Sequence, residues 1–191
     1  MHLNFTKNMM TTKSKEAMVY DLDDFTPDKQ IFVDANIFTF HLMDDPRYGE
    51  SCTGFLQKIE DCKINGVTSS FVLDEVVYVL LIGKGCEILD VDRAWKVRKE
   101  IKRNKGFAMQ CYEPVNIFLD YIDSLKLLGL HVIDVRGDDV KDAVKFAVQY
   151  QLLPRDAIII SLMKQHNIKH IATCDSDFER VDFLNVWKIP L

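Results

Sequence analysis

Residues 31–36 read IFVDAN. The first three residues are apolar and either β-branched or aromatic, so they predict a short buried strand. Asp34 follows this strand directly. A helical spacing of apolar residues begins at Asn36. A buried strand that leads through an acid into a helix is typical of a parallel α/β sheet, in which ligands bind at the carboxyl ends of the strands.

The same alternation continues through the rest of the chain. Further short strands are predicted at residues 67–68, 131–133, 171–173 and 186–189. Helices are predicted between them at 36–43, 48–62, 70–82, 91–105, 115–128, 138–150 and 154–165, and Gly83 and Gly85 are expected to end the third. Short apolar strands separated by helices predict a three-layer α/β/α sandwich around a central parallel sheet of four to five strands.

Length and composition fit one compact domain with an appendage, or one elaborate domain. The chain has 191 residues, of which 48% are hydrophobic and 28% charged, which excludes a largely disordered protein. Residues 1–29 show no sustained period and are interpreted as a flexible leader, of which 18–20 are expected to dock on the domain formed by 30–191.

Targeting and redox signals favour the cytoplasm. The longest apolar run, residues 71–82, is interrupted by Asp74 and Glu75, so no membrane span or membrane partner is expected. The five cysteines are odd in number and form no C-x-x-C motif, which indicates reduced thiols. His166 and His170 are expected at the surface rather than as zinc ligands.

The net charge of −5 argues against a protein that holds nucleic acid by overall basicity. Residues 93–105, however, carry seven basic side chains and one acid. This segment fits a helix that contacts phosphates, a solvated helix face or a surface for a protein partner, and Trp95 fits either the core or a base-stacking position. The substrate contacts predicted in it are Arg93, Lys96, Lys99 and Arg103.

Four acids occupy positions that favour a shared site. Asp34 and Asp175 directly follow predicted strands, Glu75 lies in an otherwise apolar helix, and Asp156 opens another apolar helix. Each has a separate structural explanation, as a helix cap, a solvated side chain, a first-turn acid or a turn residue. Together they would repel one another, and a hard divalent cation such as Mg²⁺ or Mn²⁺ would relieve that repulsion.

These motifs, in this order, resemble the PIN domain family of metal-dependent ribonucleases, which includes the VapC toxins. The resemblance covers residues 30–191. The family's opening aspartate and nearby asparagine match at Asp34 and Asn36, and its glutamate on an apolar helix matches at Glu75. Its aspartate before small and aliphatic residues matches at Asp156. Its Thr-x-Asp-x-x-Phe motif matches at Thr173, Asp175 and Phe178.

The resemblance implies a catalytic site that holds one or two Mg²⁺ or Mn²⁺ ions. Its catalytic and metal-binding acids would be Asp34, Glu75, Asp156 and Asp175. Asp177 would be a fifth metal-binding acid, Asn36 and Thr173 would orient carboxylates or waters, and Phe178 would be a packing residue. Arg155, beside Asp156, would contact a phosphate.

The function that follows is hydrolysis of RNA phosphodiester bonds by metal-activated water, with 5′-phosphate and 3′-hydroxyl products. The expected partners are an RNA substrate, a second copy in a homodimer and, if the protein is the toxin of a toxin–antitoxin pair, an antitoxin. The alternative is a PIN-like module that keeps the acids and serves an RNA-processing assembly without cutting. No P-loop or G-x-G-x-x-G motif is present, which argues against nucleotide hydrolysis or dinucleotide binding.

Overall fold

A six-stranded, all-parallel sheet forms the centre of the computed structural model, which describes residues 16–26 and 29–189. The strand order is β1-β6-β5-β2-β3-β4, and helices flank the sheet. This confirms the predicted sandwich, with six strands instead of four or five. The strands are β1 (Met18–Asp21), β2 (Gln30–Val33), β3 (Asn65–Ser69), β4 (Leu130–Ile133), β5 (His170–Ala172) and β6 (Asn185–Lys188).

Seven α-helices connect the strands in the described part of the chain. Five of them agree with the predicted segments to within a few residues, whereas the third and fifth are longer than predicted. The helices are α1 (Ala35–Leu42), α2 (Gly49–Glu60), α3 (Ser70–Leu89), α4 (Ala94–Ile101), α5 (Lys105–Leu128), α6 (Gly137–Tyr150) and α7 (Pro154–Gln165).

Helix α3 runs through the two glycines that were expected to end it, so that prediction was wrong. Gly85 has a packing role instead, because a Cβ atom there would lie 2.2 Å from Cγ1 of Val97 on α4. The close approach lets Val97, Phe107 and Cys111 form a second, smaller core between α3, α4 and α5. This small core holds the basic segment against the domain.

The additional strand, β1, comes from the segment predicted as a leader. It pairs with β6, and the Tyr20 ring stacks on the Trp187 ring with centroids 4.6 Å apart. Leu22 and Phe25, just beyond β1, belong to the main core. The predicted docking of 18–20 is therefore found. The predicted flexibility falls largely on residues 1–15 and 27–28, outside the described residues, and the boundary at residue 30 stays a prediction.

His170 lies in β5 and is buried, so its predicted surface position was wrong, whereas His166 is exposed. The Trp187 indole N–H donates to His170 Nδ1 over 2.9 Å, which satisfies both groups inside the protein. None of the helices in the described part of the chain combines the length and apolar character needed to cross a bilayer.

The pairing of β2 with β5 sets up the predicted site. Val33 lies opposite Ala172 in the register, so the residues that follow the two strands leave the sheet side by side. The backbone N–H of Asp34 donates to the carbonyl of Ala172 over 3.1 Å. Two sequence motifs that are 139 residues apart thereby meet at the carboxyl edge of the sheet.

Candidate active site

Asp34 lies at the junction of β2 and α1 and is only 7% exposed. One carboxylate oxygen accepts from the N–H of Ala35 (2.7 Å) and so caps α1. The other accepts from Thr173 Oγ1 (2.6 Å) and Asn36 Nδ2 (2.7 Å). Burial raises the pKa of Asp34 to about 6, against the lowering effect of these hydrogen bonds. Asp34 is therefore both a helix cap and a fixed, partly desolvated carboxylate.

Thr173 and Asn36 connect the two motifs through a buried hydrogen-bond network. Thr173 is completely buried, and its hydroxyl donates to Asp34 while it accepts from the N–H of Asp175 (3.0 Å) and from Asn36 Nδ2 (3.1 Å). Asn36 Oδ1 accepts from the N–H of Cys174 over 3.1 Å. Both residues that were predicted as supporting groups thus contact the acids or their backbone.

Three acids form a group that could hold a metal ion. Asp156 lies in the first turn of α7, and Asp175 and Asp177 lie at the start of the 3₁₀ segment that follows β5. Carboxylate oxygens of the three lie within 4.8 Å of one another. Oδ1 of Asp175 also accepts from the N–H of Asp177 over 2.8 Å, which holds this turn in place. An all-carboxylate group suits a hard divalent cation.

The negative charges of the site act on one another. Burial, followed by the charges of Asp175, Asp177 and Glu75 in that order of influence, raises the pKa of Asp156 to about 6. The charges of Glu75 and Asp175 also raise the pKa of Asp34. The structure therefore brings Asp156, Asp175 and Asp177 into one group, and Asp34 and Glu75 are close enough to interact with it electrostatically.

Two arginines offset part of this negative charge. Arg155 lies with its guanidinium 3.5 Å from carboxylate oxygens of Glu75 and of Asp74, and its contact with a phosphate stays a prediction. Arg180 pairs with Asp177 over 2.8 Å and also donates to the carbonyl of Gln151. Sequence reasoning missed Arg180 and Asp74, although the i,i+3 spacing of Asp177 and Arg180 on a turn could have pointed to the ion pair.

Four of the predicted substrate contacts, Arg93, Lys96, Lys99 and Arg103, lie on or beside α4 and outside the three-acid group. Helix α4 packs on α3 at Gly85, which is ten residues, or about 15 Å of helix, beyond Glu75. Trp95 is 51% exposed, so a core position for it is excluded. Phe178 is buried in the main core, in keeping with its predicted packing role.

The raised pKa values predict how the metal-free protein responds to pH. Because Asp34 and Asp156 ionise near pH 6 when folded, above the values of an unfolded chain, they stabilise the fold when protonated and lose this contribution as pH rises through about 6. We expect the Tm in EDTA to fall between about pH 5 and pH 7, and Mn²⁺ to restore it most at the higher pH. Differential scanning fluorimetry tests this. Asp156→Asn should show a smaller pH dependence, and an equal fall in Tm for both proteins would contradict the assignment.

A family model described as PIN domain matches residues 31–184. The chain belongs to the PIN domain family. This confirms the resemblance drawn from the sequence motifs, and the match spans β2 through the residues just before β6.

The chain is also similar to individual proteins. Ribonuclease VapC2 of Methanocaldococcus jannaschii is 26% identical over 163 residues, which cover 85% of this chain and 95% of the relative. Ribonuclease VapC6 of the same organism is 36% identical over 89 residues, which cover 47% of this chain and 57% of the relative. A solved toxin–antitoxin complex from Klebsiella pneumoniae aligns with 81% of this chain and 94% of its own, with 16% identity and a TM-score of 0.48.

Proposed function

We propose that this PIN domain is a divalent-metal-dependent endoribonuclease that hydrolyses RNA phosphodiester bonds. The observation that carries the proposal is the group of three carboxylates within 4.8 Å of one another, at the carboxyl edge of a parallel sheet. The names of the two archaeal relatives, both ribonucleases, support the same activity.

The proposed catalytic and metal-binding acids are those that the motifs indicated. Asp34, Glu75, Asp156 and Asp175 form the catalytic set, and Asp177 is a fifth metal-binding acid. The donor set fits Mg²⁺ or Mn²⁺, since within the described residues the clustered ligand atoms all belong to carboxylates and none to histidine or cysteine. The raised pKa values of Asp34 and Asp156 also fit, because a bound cation would relieve the repulsion that contributes to them.

Each residue has a defined task in the proposed reaction. The bound metal would supply a more acidic water and neutralise charge on the phosphate. Asp34, held by Thr173 and Asn36, keeps one carboxylate orientation and so presents a preorganised ligand. Arg155 would move from Glu75 to a phosphate oxygen as the substrate arrives. Water is the nucleophile, and the products carry a 5′-phosphate and a 3′-hydroxyl.

A cleavage assay on a mixed pool of structured and single-stranded RNAs tests the activity. We expect products when Mn²⁺ or Mg²⁺ is added and none in EDTA, with 5′-phosphate ends in the products. If no RNA in the pool is cut in either metal, the alternative function, a PIN-like module that binds RNA without cutting it, gains support.

We further propose that the protein acts in the cytoplasm and that it is the toxin of a toxin–antitoxin pair. The resemblance to VapC toxins supports the toxin role, and the five cysteines, all free in the structure, fit a reducing compartment. Induced expression should arrest growth, and co-expression of an antitoxin from a neighbouring gene should relieve the arrest. Growth that continues during expression of a catalytically active protein would point to a processing nuclease instead.

We also propose a homodimer that forms through α6. Val140, Val144 and Val148 are spaced four residues apart and are 46%, 63% and 76% exposed, so they form an apolar row on the surface. The three valines line an apolar groove between α6 and α7, together with Pro154 and Ile158 of α7. An antiparallel pairing centred on Val144 would set Val140 against Val148 of the second copy, as a twofold axis requires.

The dimer is tested by placing a charge at the centre of this row. We expect Val144→Asp to make the protein monomeric, because two carboxylates would meet at the twofold axis in an apolar contact. Sedimentation velocity at matched concentrations measures the change. Ile117→Asp, at an exposed apolar position on α5, is the control and should leave the dimer intact. A dimeric Val144→Asp protein would rule out this interface.

A further inference from the structure

Helix α4 presents a basic face that lies outside the three-acid group. We define this basic face by Trp95, Arg98, Lys99 and Lys102, all of them exposed. The opposite side of the helix is turned inward, with Val97 fully buried against Gly85. Arg98 and Lys99 follow Trp95 by three and four residues, so both cations lie one helical turn from the indole on the same face of α4.

The positive charge of this segment is available to a partner. All seven cations between residues 93 and 105 are exposed. Within the described residues only Arg93 forms an ion pair, with the neighbouring Asp92 at 3.7 Å. A helix face that serves only solubility would be expected to mix charges of both signs along its length, whereas here a single acid, Glu100, accompanies the cations on α4.

Trp95 adds a chemical preference to this charge. Its side chain is 51% exposed, and the exposed cations Arg98 and Lys99 follow it by one helical turn. An exposed indole between phosphate-binding cations is the arrangement that binds single-stranded nucleic acid, because the cations contact the backbone and the ring stacks on a base. An acidic peptide would use the cations but would leave the indole without a stacking partner.

We infer that the basic face of α4 is a second RNA-binding site, which holds single-stranded RNA outside the acidic site. This inference rests on the proposed function in taking RNA as the substrate. The acids of the active site repel a polyanion when no metal is bound, so a basic surface outside the site would add to the affinity for RNA. Helix α3 links the two sites rigidly, with Glu75 and the α4 contact at Gly85 about 15 Å apart along its axis.

The test measures RNA affinity in EDTA, where no metal-dependent cleavage occurs, by the fluorescence anisotropy of a labelled oligouridine. We expect the triple variant Arg98→Gln, Lys99→Gln, Lys102→Gln to bind at least about tenfold more weakly at low salt. The slope of log affinity against log salt concentration should fall by about 2, since each phosphate contact on a single strand contributes about 0.7. Trp95→Ala should weaken binding by about fivefold or more with little change in this slope.

A charge-matched control removes three exposed cations that lie outside the α4 segment: Lys63→Gln, Lys126→Gln, Lys169→Gln. We expect it to bind RNA like the wild type. Equal weakening in the two triple variants, or unchanged affinity in the α4 variant, would overturn the inference. The inference would also be overturned if the α4 substitutions weakened the binding of polyglutamate and left the binding of RNA unchanged.

The two proposals fail in different ways. If the wild type cleaves RNA but the α4 substitutions leave RNA affinity unchanged, the proposed function is supported and the second site is ruled out. If the wild type cleaves no RNA with either metal but its RNA affinity depends on α4, the second site is supported and the nuclease activity is ruled out.

Discussion

The Asp156→Asn variant is expected to cleave RNA well over about 100-fold more slowly than the wild type. This exceeds the roughly 10–100-fold loss that follows when a residue that only hydrogen-bonds to a metal ligand is removed. Asp156 is one of three acids whose oxygens lie within 4.8 Å of one another, and asparagine removes its charge without changing its size. The affinity for Mn²⁺, measured by isothermal titration calorimetry, should fall together with the cleavage rate.

The stability of this variant separates a lost site from a damaged fold. Burial and neighbouring charges raise the pKa of Asp156 to about 6, so the ionised carboxylate destabilises the metal-free protein at neutral pH. We therefore expect Asp156→Asn to have a higher Tm than the wild type in EDTA at about pH 7, while it is inactive in Mn²⁺.

Asp123→Asn is the matched control for this experiment. Asp123 is an exposed acid on α5 that pairs with Lys126, and it lies outside the acidic site. Its removal should change neither cleavage nor Mn²⁺ affinity. Full metal-dependent cleavage by Asp156→Asn would show that the acidic group is not the active site.

Thr173→Val is expected to weaken both the fold and the reaction. The Thr173 hydroxyl is fully buried and makes hydrogen bonds with Asp34, Asn36 and the N–H of Asp175. Valine has nearly the same shape but leaves these polar groups with one partner fewer, at a cost of about 1–3 kcal/mol for each buried group left unsatisfied. We expect the free energy of unfolding, measured in urea, to fall by about 2–4 kcal/mol. We also expect the cleavage rate to fall about 10–100-fold, the loss that is usual when a residue that orients a metal ligand is removed.

Thr173→Ser keeps the hydroxyl and serves as the control. It should retain most of the cleavage rate, with only the small loss in stability that follows from removing one buried methyl group. If Thr173→Val cleaved RNA as fast as Thr173→Ser, the orientation of Asp34 by Thr173 would have no part in the reaction.

The parts of the fold that could be predicted are those with a strong local signal. Strand β2 and helix α7 are marked by an unbroken apolar run and by Pro154 in the first turn. The end of α3 was missed because tertiary packing outweighed local propensity. The glycines weaken the helix, but Gly85 admits Val97 and so gains a contact that no local pattern reveals.

The start of α5 was missed for a related reason. Pro114 lies inside this helix, and a sequence argument places a helix boundary there. The turns before Pro114 are held by Asn104, whose side chain caps the helix at the N–H of Phe107, and by the burial of Phe107 in the small core.

The acids of the candidate site could be predicted because each stands at a characteristic position on its own strand or helix. What could not be predicted is how far apart the basic segment and the acids lie, since that distance depends on the length of α3. The contact of Arg180 with Gln151 was also beyond reach, because it joins two turns that are 29 residues apart.

Strand β1 has a bearing on how the protein should be handled in the laboratory. Its backbone covers one whole side of β6, and Tyr20 and Phe25 shield the Trp187 ring. A version that begins at residue 31, where the family match starts, and keeps the rest of the chain would leave β6 as a bare sheet edge beside an uncovered indole. Bare edges of this kind recruit strands from other molecules and promote aggregation. Strand β1 and Phe25 therefore shield this edge from pairing with strands of other molecules, and expression plasmids should retain them.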